Sequence, residues 1–201
     1  YLWVERLKAS WYIVPDALEN AEKTMQQMAD WFKKYGDAPG KSIGVVQGKN
    51  YQEIKDCYKA IDELSPCDMI AISFDYSYYR ESCPHPNKYV SWMLGRVKLL
   101  GDLERDGIIN KDKPHHLLGC GLPQEFQFYK HSDYHWIYSL DTSNPVVHGI
   151  KGIKYNDEGL WSKESQKLHE LIDFPLENLD INLILDNIKK FRWFTNGKSK
   201  V

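Results

Sequence analysis

A chain of 201 residues can bury one sizeable hydrophobic core, so we expect a single domain over residues 1–201. Its formal net charge of −2 excludes a protein whose overall field attracts polyanions, so a bound nucleic acid would need a local basic strip. The four cysteines lack C-x-x-C spacing, no apolar run could span a bilayer and no signal peptide is visible, which excludes a membrane or disulfide-rich secreted protein and favours the cytoplasm.

Apolar runs of strand length alternate with longer segments of helical periodicity along the chain. Strands are predicted at "WYIVPD", "SIGVVQG", "CDMIAISFD", "HHLLGCG" and "HWIYSLD", and "VVHGIKGIKY" is a candidate sixth strand. Helices are predicted over residues 18–34, 50–64 and 88–105, from near Pro123 onwards, and over residues 162–172 and 179–191. This alternation predicts an α/β fold.

The predicted strands read as near-continuous apolar runs, which is typical of a parallel sheet covered on both faces. We predict a TIM-type (β/α)8 barrel, although such a barrel usually needs about 250 residues and eight strand–helix units. Because five or six units are visible, the first strands would be lacking or would lie ahead of Tyr1. The alternative is an open doubly wound sheet, but the sequence contains neither a G-x-G-x-x-G nor a Walker-type segment.

Polar and small residues follow the carboxyl ends of the predicted strands. In chain order they are Asp16, Gln47 and Gly48, Ser73 and Asp75, Gly119 and Gly121, and Asp141. In barrels of this type, the carboxyl ends of the strands and the loops after them form the active site. Their convergence on one rim predicts a site for a flat polar ligand, held by hydrogen bonds close to the backbone.

Each of these residues also has a purely structural interpretation. Asp16 suits the N-cap of the helix that follows it, and Gln47–Gly48 suits an ordinary turn. Ser73 and Asp75 could end a strand, and Asp141 could begin an Asx-type turn. Their recurrence at the same end of successive strands favours the functional interpretation.

Five segments carry a resemblance to a known family: "VPDALENAEKTMQQMADWFKK", "VVQGKNYQEIKDCYKAI", "CDMIAISFD", "HHLLGCGLPQEF" and "SLDTSNPVVHG". In this order they resemble the strand–aspartate–helix, Val-Gln-Gly, "AIGG", "LMGVG-x-P" and nucleophile segments of the tRNA-guanine transglycosylases. The resemblance is closer to the phage and bacterial relatives that act in 7-deazaguanine modification of DNA, and it covers almost the whole chain. It implies an enzyme of a bacterial or phage-infected cytoplasm that exchanges a guanine in DNA or tRNA for a 7-deazaguanine.

Carried over to this chain, the resemblance implies that Asp141 is the nucleophile and that Asp16 binds the edge of the guanine or deazaguanine. It implies that Gln47 and Gly48 bind the same base. Ser73 stands where the family usually has glycine, so a different base or 7-substituent could be preferred. The remaining predicted substrate-binding residues are Asp75, Gly119 and Gly121.

Two features of the family are absent from this sequence. The family's second acid/base carboxylate lies on an earlier strand within an Asp-Ser-Gly type motif, and no such motif precedes the first predicted strand. The family's zinc site uses three cysteines and a histidine, but no cysteine follows Asp141, so we expect no structural zinc and no other cofactor. His115 and His116 lack ligand spacing and are expected to be core or surface residues.

Two other functions stay open. One is a non-catalytic relative that binds nucleic acid or a partner subunit through the same barrel. The other is an unrelated barrel enzyme acting on a phosphorylated metabolite, for which "HGIKG" would be the phosphate-binding segment. The partners expected from the leading hypothesis are nucleic acid, a free 7-deazaguanine base, and a partner subunit or second copy of the chain, but no membrane. One local basic strip could contact phosphates or be a solvated helix face: Lys189, Lys190, Arg192, Lys198 and Lys200.

Overall fold

The computed structural model describes residues 1–130, 132–166 and 175–196. Its helices are α1 (Leu2–Leu7), α2 (Ala21–Tyr35), α3 (Tyr51–Lys59), α4 (Ser77–Ser82), α5 (Lys88–Arg105), α6 (Asn144–Ile150) and α7 (Ile181–Asn196). Its strands are β1 (Trp11–Ile13), β2 (Lys41–Val45), β3 (Met69–Ser73), β4 (His115–Leu118) and β5 (Ile137–Leu140). Shorter helical segments are a π-helical turn at Ala60–Leu64 and 3₁₀ helices at Pro123–Tyr129, Ser132–Tyr134 and Leu176–Asn178.

The five strands form one parallel sheet in the order β1-β2-β3-β4-β5. Each strand therefore pairs with the strand that precedes it and the strand that follows it along the chain. Because all five run in the same direction, their carboxyl ends lie along one edge of the sheet. The predicted α/β class with a parallel sheet is confirmed.

Asparagine caps mark the start of three of the helices. The side-chain oxygens of Asn20, Asn50 and Asn87 accept hydrogen bonds from backbone N–H groups in the first turns of α2, α3 and α5. Such caps satisfy donors that the helix itself leaves unpaired. The helix predicted over residues 88–105 has these bounds in the structure, and α2 begins three residues later than predicted.

The main hydrophobic core lies between the sheet and the helices. Leu99 and Leu103 of α5, Ile54 of α3 and the strand residues Ile70 and Leu117 are all fully buried in it. A second, smaller cluster consists of side chains from strands alone: Ile43, Val45, Met69 and Ala71, with Trp11 and Leu118 packed against them. The central strands are thus apolar and buried on both faces, which explains their near-continuous apolar sequences.

The candidate sixth strand is wrong. Residues 146–150 of this segment belong to α6 (Asn144–Ile150), and residues 151–155 form no strand. Pro145 lies in the first turn of α6, where the missing N–H of proline costs no hydrogen bond. Gly149 lies against α7, because a Cβ there would come 2.5 Å from Cγ1 of Ile184. Close packing of two helices, which no local pattern reveals, outweighs the β-branched residues of this stretch.

The helix predicted over residues 162–172 is not confirmed. Residues 162–166 are not helical, and residues 167–172 lie outside the described residues. The helix predicted near Pro123 is the 3₁₀ helix Pro123–Tyr129. Within the described ranges, none of the helices combines the length and apolarity that crossing a bilayer requires.

Candidate functional site

Asp16 and Gln47 meet at the carboxyl ends of β1 and β2. Nε2 of Gln47 donates a hydrogen bond to Oδ2 of Asp16 at 2.6 Å, and its Oε1 accepts one from the N–H of Glu19 at 2.8 Å. Gln47 is buried, so these contacts fix the orientation of the Asp16 carboxylate. The interpretation of Asp16 as a helix cap is wrong, since Asn20 caps α2. Within the described ranges, Oδ1 of Asp16 accepts no hydrogen bond and can receive one from a ligand.

Gly48 follows this pair and makes close backbone packing possible. A Cβ on residue 48 would lie 2.6 Å from the backbone N of Ile54 and 2.9 Å from the carbonyl carbon of Glu53. Real Cβ atoms do not approach backbone atoms so closely, so any side chain here would push α3 away from the sheet. Gly48 therefore sets the distance between the end of β2 and the start of α3.

Ser73 and Asp75 lie next, at the end of β3. Oγ of Ser73 donates to Oδ1 of Asp75 at 2.8 Å, and the backbone N–H of Ser73 donates to the hydroxyl oxygen of the buried Tyr76 at 3.2 Å. The Tyr76 hydroxyl in turn donates to the carbonyl oxygen of Val46. Tyr76 thereby holds the ends of β2 and β3 in a fixed relation.

Asp141 lies directly after β5 and receives two hydrogen bonds on one oxygen. Nε2 of His116 and the backbone N–H of Gly119 each lie 3.1 Å from its Oδ1. The hydrogen bond from His116, supported by that from Gly119, holds the pKa of Asp141 below its usual value, against the opposing effect of partial burial. The side chain of Asp141 is 63% exposed. Its Oδ2 accepts no hydrogen bond from the part of the chain that the structure describes, so it faces outward as a free anionic oxygen.

His116 supports this aspartate and was not among the predicted site residues. Because the carboxylate of Asp141 can only accept, Nε2 of His116 carries the proton that it donates, and Nδ1 of the ring lies 2.8 Å from Oγ of Ser139. His115, its neighbour in β4, is fully buried on the opposite face of the sheet. The period-two alternation of a strand separates adjacent side chains in this way, and it could have assigned one of the two histidines to the rim.

The two predicted glycines of the loop after β4 differ in their structural demands. Gly119 has φ +66°, and a Cβ there would lie 2.4 Å from Cδ1 of Phe74, so glycine is needed both for the backbone conformation and for space. At Gly121 the nearest atom to an added Cβ would be 3.7 Å away, which is ordinary van der Waals contact. Only Gly119 is required by its surroundings.

A buried ion pair lies beneath the rim. Nε of Arg96, in α5, is 2.6 Å from Oε1 of Glu125, and both side chains are almost completely buried. The guanidinium also donates to the carbonyl oxygens of Leu118 at 2.9 Å and of Gly119 at 3.1 Å. Although burial acts to lower the pKa of Arg96, the Glu125 carboxylate raises it above its usual value. Arg96 therefore stays charged and fixes the end of β4, from which Gly119 contacts the nucleophile candidate.

The structure places all eight predicted site residues at or just after the carboxyl ends of the five adjacent strands. Direct contacts join them as three groups: Asp16 with Gln47, Ser73 with Asp75, and Gly119 with Asp141. Cavities of about 350 Å³ lie beside α4 and beside the start of α2, and none of the eight residues lines them. The side chain of Asp141 is 63% exposed, so at this strand end the candidate site is an open rim.

No group of three or more His, Cys, Asp or Glu side chains that could hold a metal ion occurs in residues 1–130, 132–166 or 175–196. The four cysteines are free thiols, and burial raises the pKa of Cys57 to about 11. A buried thiol with a raised pKa is a poor nucleophile.

A scan of protein-family models found none that matches the sequence, and a search of curated proteins found no match.

Proposed function

We propose that the protein is a base-exchanging transglycosylase that replaces guanine in a nucleic acid by a 7-deazaguanine. The observation that carries this proposal is the geometry of Asp141. Two donors hold one of its oxygens, the other oxygen has no hydrogen bond from the described residues, and the carboxylate lies at the carboxyl end of a strand in a parallel sheet. A fixed, ionised carboxylate with an open approach is what nucleophilic attack on an anomeric carbon requires.

We propose further that the sheet is part of a TIM-type barrel. Five parallel strands in sequential order fit a barrel segment, because neighbours in a (β/α)8 barrel are also neighbours along the chain. Open doubly wound sheets instead reverse their strand order at a switch point. The strand-only cluster around Ile43, Val45 and Met69 has the composition of a barrel interior, where branched side chains fill the centre.

In the proposed reaction, Oδ2 of Asp141 attacks C1′ of the target nucleotide. The bond from C1′ to N9 of guanine breaks, and its electron pair leaves with the base, giving a covalent aspartyl–sugar intermediate. The incoming deazaguanine attacks C1′ through its five-membered-ring nitrogen and releases Asp141. Two inversions give overall retention at the sugar. The proton lost by the incoming base balances the proton gained by the departing guanine, so the exchange consumes no other reactant.

Asp16 is the proposed partner of the purine edge. Its Oδ1 accepts no hydrogen bond from the residues that the structure describes, and a carboxylate accepts hydrogen bonds from the N1–H and exocyclic amine of a guanine-type base. Both amide atoms of Gln47 already take part in hydrogen bonds, so we assign to Gln47 the orientation of Asp16. Matching a polar edge in this way can give strong selection against bases that lack these donors.

The target nucleotide must leave its base stack before Asp141 can approach it. Extrusion costs a few kcal/mol, and the enzyme has to recover this from contacts to the base and to the strand around it. The open rim fits this requirement, since a sugar carrying a base on one side and phosphates on two others needs an unobstructed approach.

Base exchange can be measured directly. The full-length protein is incubated with DNA or tRNA carrying labelled guanine and with free 7-cyano-7-deazaguanine, and release of the label is followed. We expect release by the native chain and none by Asp141→Asn. The matched control is Asp157→Asn, because Asp157 is an exposed carboxylate paired only with Lys190 in the described structure. Tight binding of nucleic acid without release would instead support the non-catalytic subunit.

A further inference from the structure

Residues 160–163 form a short segment that several hydrogen bonds hold near the strand ends. The backbone N–H and carbonyl of Leu160 both bond to the side-chain amide of Gln124, at 3.1 and 2.7 Å. Nδ2 of Asn87 donates a hydrogen bond to the carbonyl oxygen of Trp161 at 2.6 Å. The hydroxyl of Tyr89 donates one to the backbone carbonyl oxygen of Lys163 at 3.1 Å. The segment is therefore fixed against the start of α5.

Lys163 projects from this segment onto the loop after β3. Its Nζ lies 3.6 Å from the centre of the Phe74 ring, and Phe74 stands between Ser73 and Asp75. Among the described residues, Lys163 forms no ion pair within 4.0 Å. Burial lowers the pKa of Lys163, and the carboxylates of Asp75 and Asp141 oppose this shift. Phe74 also lies against Gly119, whose N–H donates to Asp141, so these contacts connect the half-buried Lys163 to the proposed nucleophile.

A second lysine and further aromatic rings extend this surface. Nζ of Lys88 lies 5.0 Å from the ring centre of Tyr89 and 5.4 Å from that of Trp92. Trp92 contacts Phe74 edge to face, with ring centres 5.7 Å apart. Trp161 is 60% exposed. We call this set the aromatic–lysine surface: Phe74, Lys88, Tyr89, Trp92, Trp161 and Lys163.

We propose that the aromatic–lysine surface binds the strand of nucleic acid next to the nucleotide that is extruded to Asp141. Lys88 and Lys163 contact backbone phosphates, and Trp161 stacks on an unpaired base. Interleaved cations and aromatic rings are typical of surfaces that bind single strands, because stacking tolerates any base and the lysines follow the backbone. This proposal rests on the proposed function, since it supplies the contacts that extrusion needs.

The basic strip of α7 is the rival surface. Lys198 and Lys200 of this strip lie outside the described residues. Its two other lysines have acidic neighbours: Lys190 pairs with Asp157, and Nζ of Lys189 lies 3.6 Å from Oδ1 of Asp186. These carboxylates offset the positive charge that a phosphate would meet. Lys190 also lies over the ring of Trp193 at 4.8 Å, which makes it a matched control for a lysine on an aromatic face.

The test is a salt titration of binding, followed by fluorescence anisotropy with a single-stranded DNA and an RNA of the same sequence. Each phosphate contact contributes about 0.7 to the slope of log K against log salt. We expect Lys88→Met and Lys163→Met each to reduce the slope by about 0.7, and the double variant by about 1.4. Trp161→Ala should weaken binding about five-fold or more at unchanged slope, because it removes stacking and no charge. The tighter binding constant at one salt concentration identifies whether DNA or RNA is preferred.

Lys163→Arg keeps the positive charge and should therefore keep the native salt slope. Because Lys88 is exposed, Lys88→Met tests the proposal even if Lys163→Met disturbs folding. Lys189→Met with Lys190→Met is expected to leave the slope unchanged. The proposal would be overturned if Lys88→Met and Lys163→Met both kept the native salt slope, or if only the α7 variant showed a reduced slope. It would also be overturned if the native chain bound neither DNA nor RNA. Asp141→Asn separates the two claims, because it should abolish base exchange while retaining the native salt slope.

Discussion

Nε2 of His116 lies 3.1 Å from Oδ1 of Asp141, and this contact connects the fourth strand to the proposed nucleophile after the fifth. The His116 side chain is only 14% exposed, so its ring is held in place while the carboxylate faces outward. In our proposal, Oδ2 of Asp141 is the oxygen that reacts.

Replacing His116 by Phe should reduce base exchange about 10- to 100-fold, since a hydrogen bond to a charged group contributes roughly 1.5–3 kcal/mol. Losing this donor also raises the pKa of Asp141. The carboxylate is then protonated at higher pH, so the acidic limb of the rate profile should move upward. The pH dependence of the exchange rate measures this shift. His116→Gln, which keeps an N–H donor, should restore much of the rate, and equal profiles for the Phe and Gln variants would contradict a positioning role.

Gly119→Ala and Gly121→Ala form a matched pair. Gly119→Ala should destabilise the fold by about 2 kcal/mol or more, since a left-handed backbone costs about 1–2 kcal/mol in a residue with a Cβ and the methyl group would meet the ring of Phe74. Gly121→Ala should change stability by less than about 1 kcal/mol. Urea denaturation gives both free energies of unfolding. Similar losses in the two variants would show that the loop after β4 is not constrained as described.

Arg96→Met should destabilise the protein by about 3–5 kcal/mol, because it leaves the buried carboxylate of Glu125 without its cation, although the hydroxyl of Tyr129 still donates a hydrogen bond to it at 2.8 Å. The double variant Arg96→Met with Glu125→Leu removes both charges and should be less destabilised than the single variant. Denaturation of the native chain, Arg96→Met, Glu125→Leu and the double variant completes a double-mutant cycle. Additive losses would mean that the two side chains contribute independently.

His115 should make stability depend on pH. Its Nδ1 donates to the carbonyl oxygen of Lys113 and its Nε2 accepts from the hydroxyl of Tyr58, so the ring is neutral, and burial lowers its pKa from 6.5 to about 4. Because the unfolded state then binds more protons between these values, the stabilisation from a neutral His115 is present above pH 6.5 and is lost as pH falls toward 4.

The loss amounts to about 3 kcal/mol over this interval. It should appear as a steeper fall in the unfolding free energy of the native chain than of His115→Gln. If the unfolding free energy of His115→Gln fell with the same slope as that of the native chain between pH 6.5 and 5, His115 would not be the group responsible.

The sequence predicted the strands and the rim because both depend on local patterns. Short apolar runs mark buried parallel strands, and the polar residues directly after them, such as Asp16 and Asp141, must lie at one edge of the sheet. The same reasoning failed at residues 146–155, where Val146 and Val147 suggested a strand. There the contact of Gly149 with Ile184, a long-range feature, favours a helix.

The side chains that support the rim, such as Arg96 and His116, were missed in the sequence analysis for a different reason. Arg96 occupies a fully buried position on α5, and an arginine in a helix ordinarily indicates an exposed face. Its partner Glu125 is 29 residues away in the chain, so no spacing connects them. The signal that could have identified His116 was its alternation with His115 within β4. The signal that could have identified Arg96 was its position between Trp92 and Leu99 on the apolar side of the helix.

The most direct test of the central claim is the capture of the covalent intermediate. The native chain is incubated with a labelled guanine-containing DNA or tRNA without an incoming base, denatured, and analysed by gel electrophoresis and peptide mass spectrometry. The account predicts a labelled protein–nucleic acid adduct on the peptide that contains Asp141, absent from Asp141→Asn and retained in Asp157→Asn. An adduct that persists in Asp141→Asn, or base exchange by the native chain with the adduct on another residue, would contradict it.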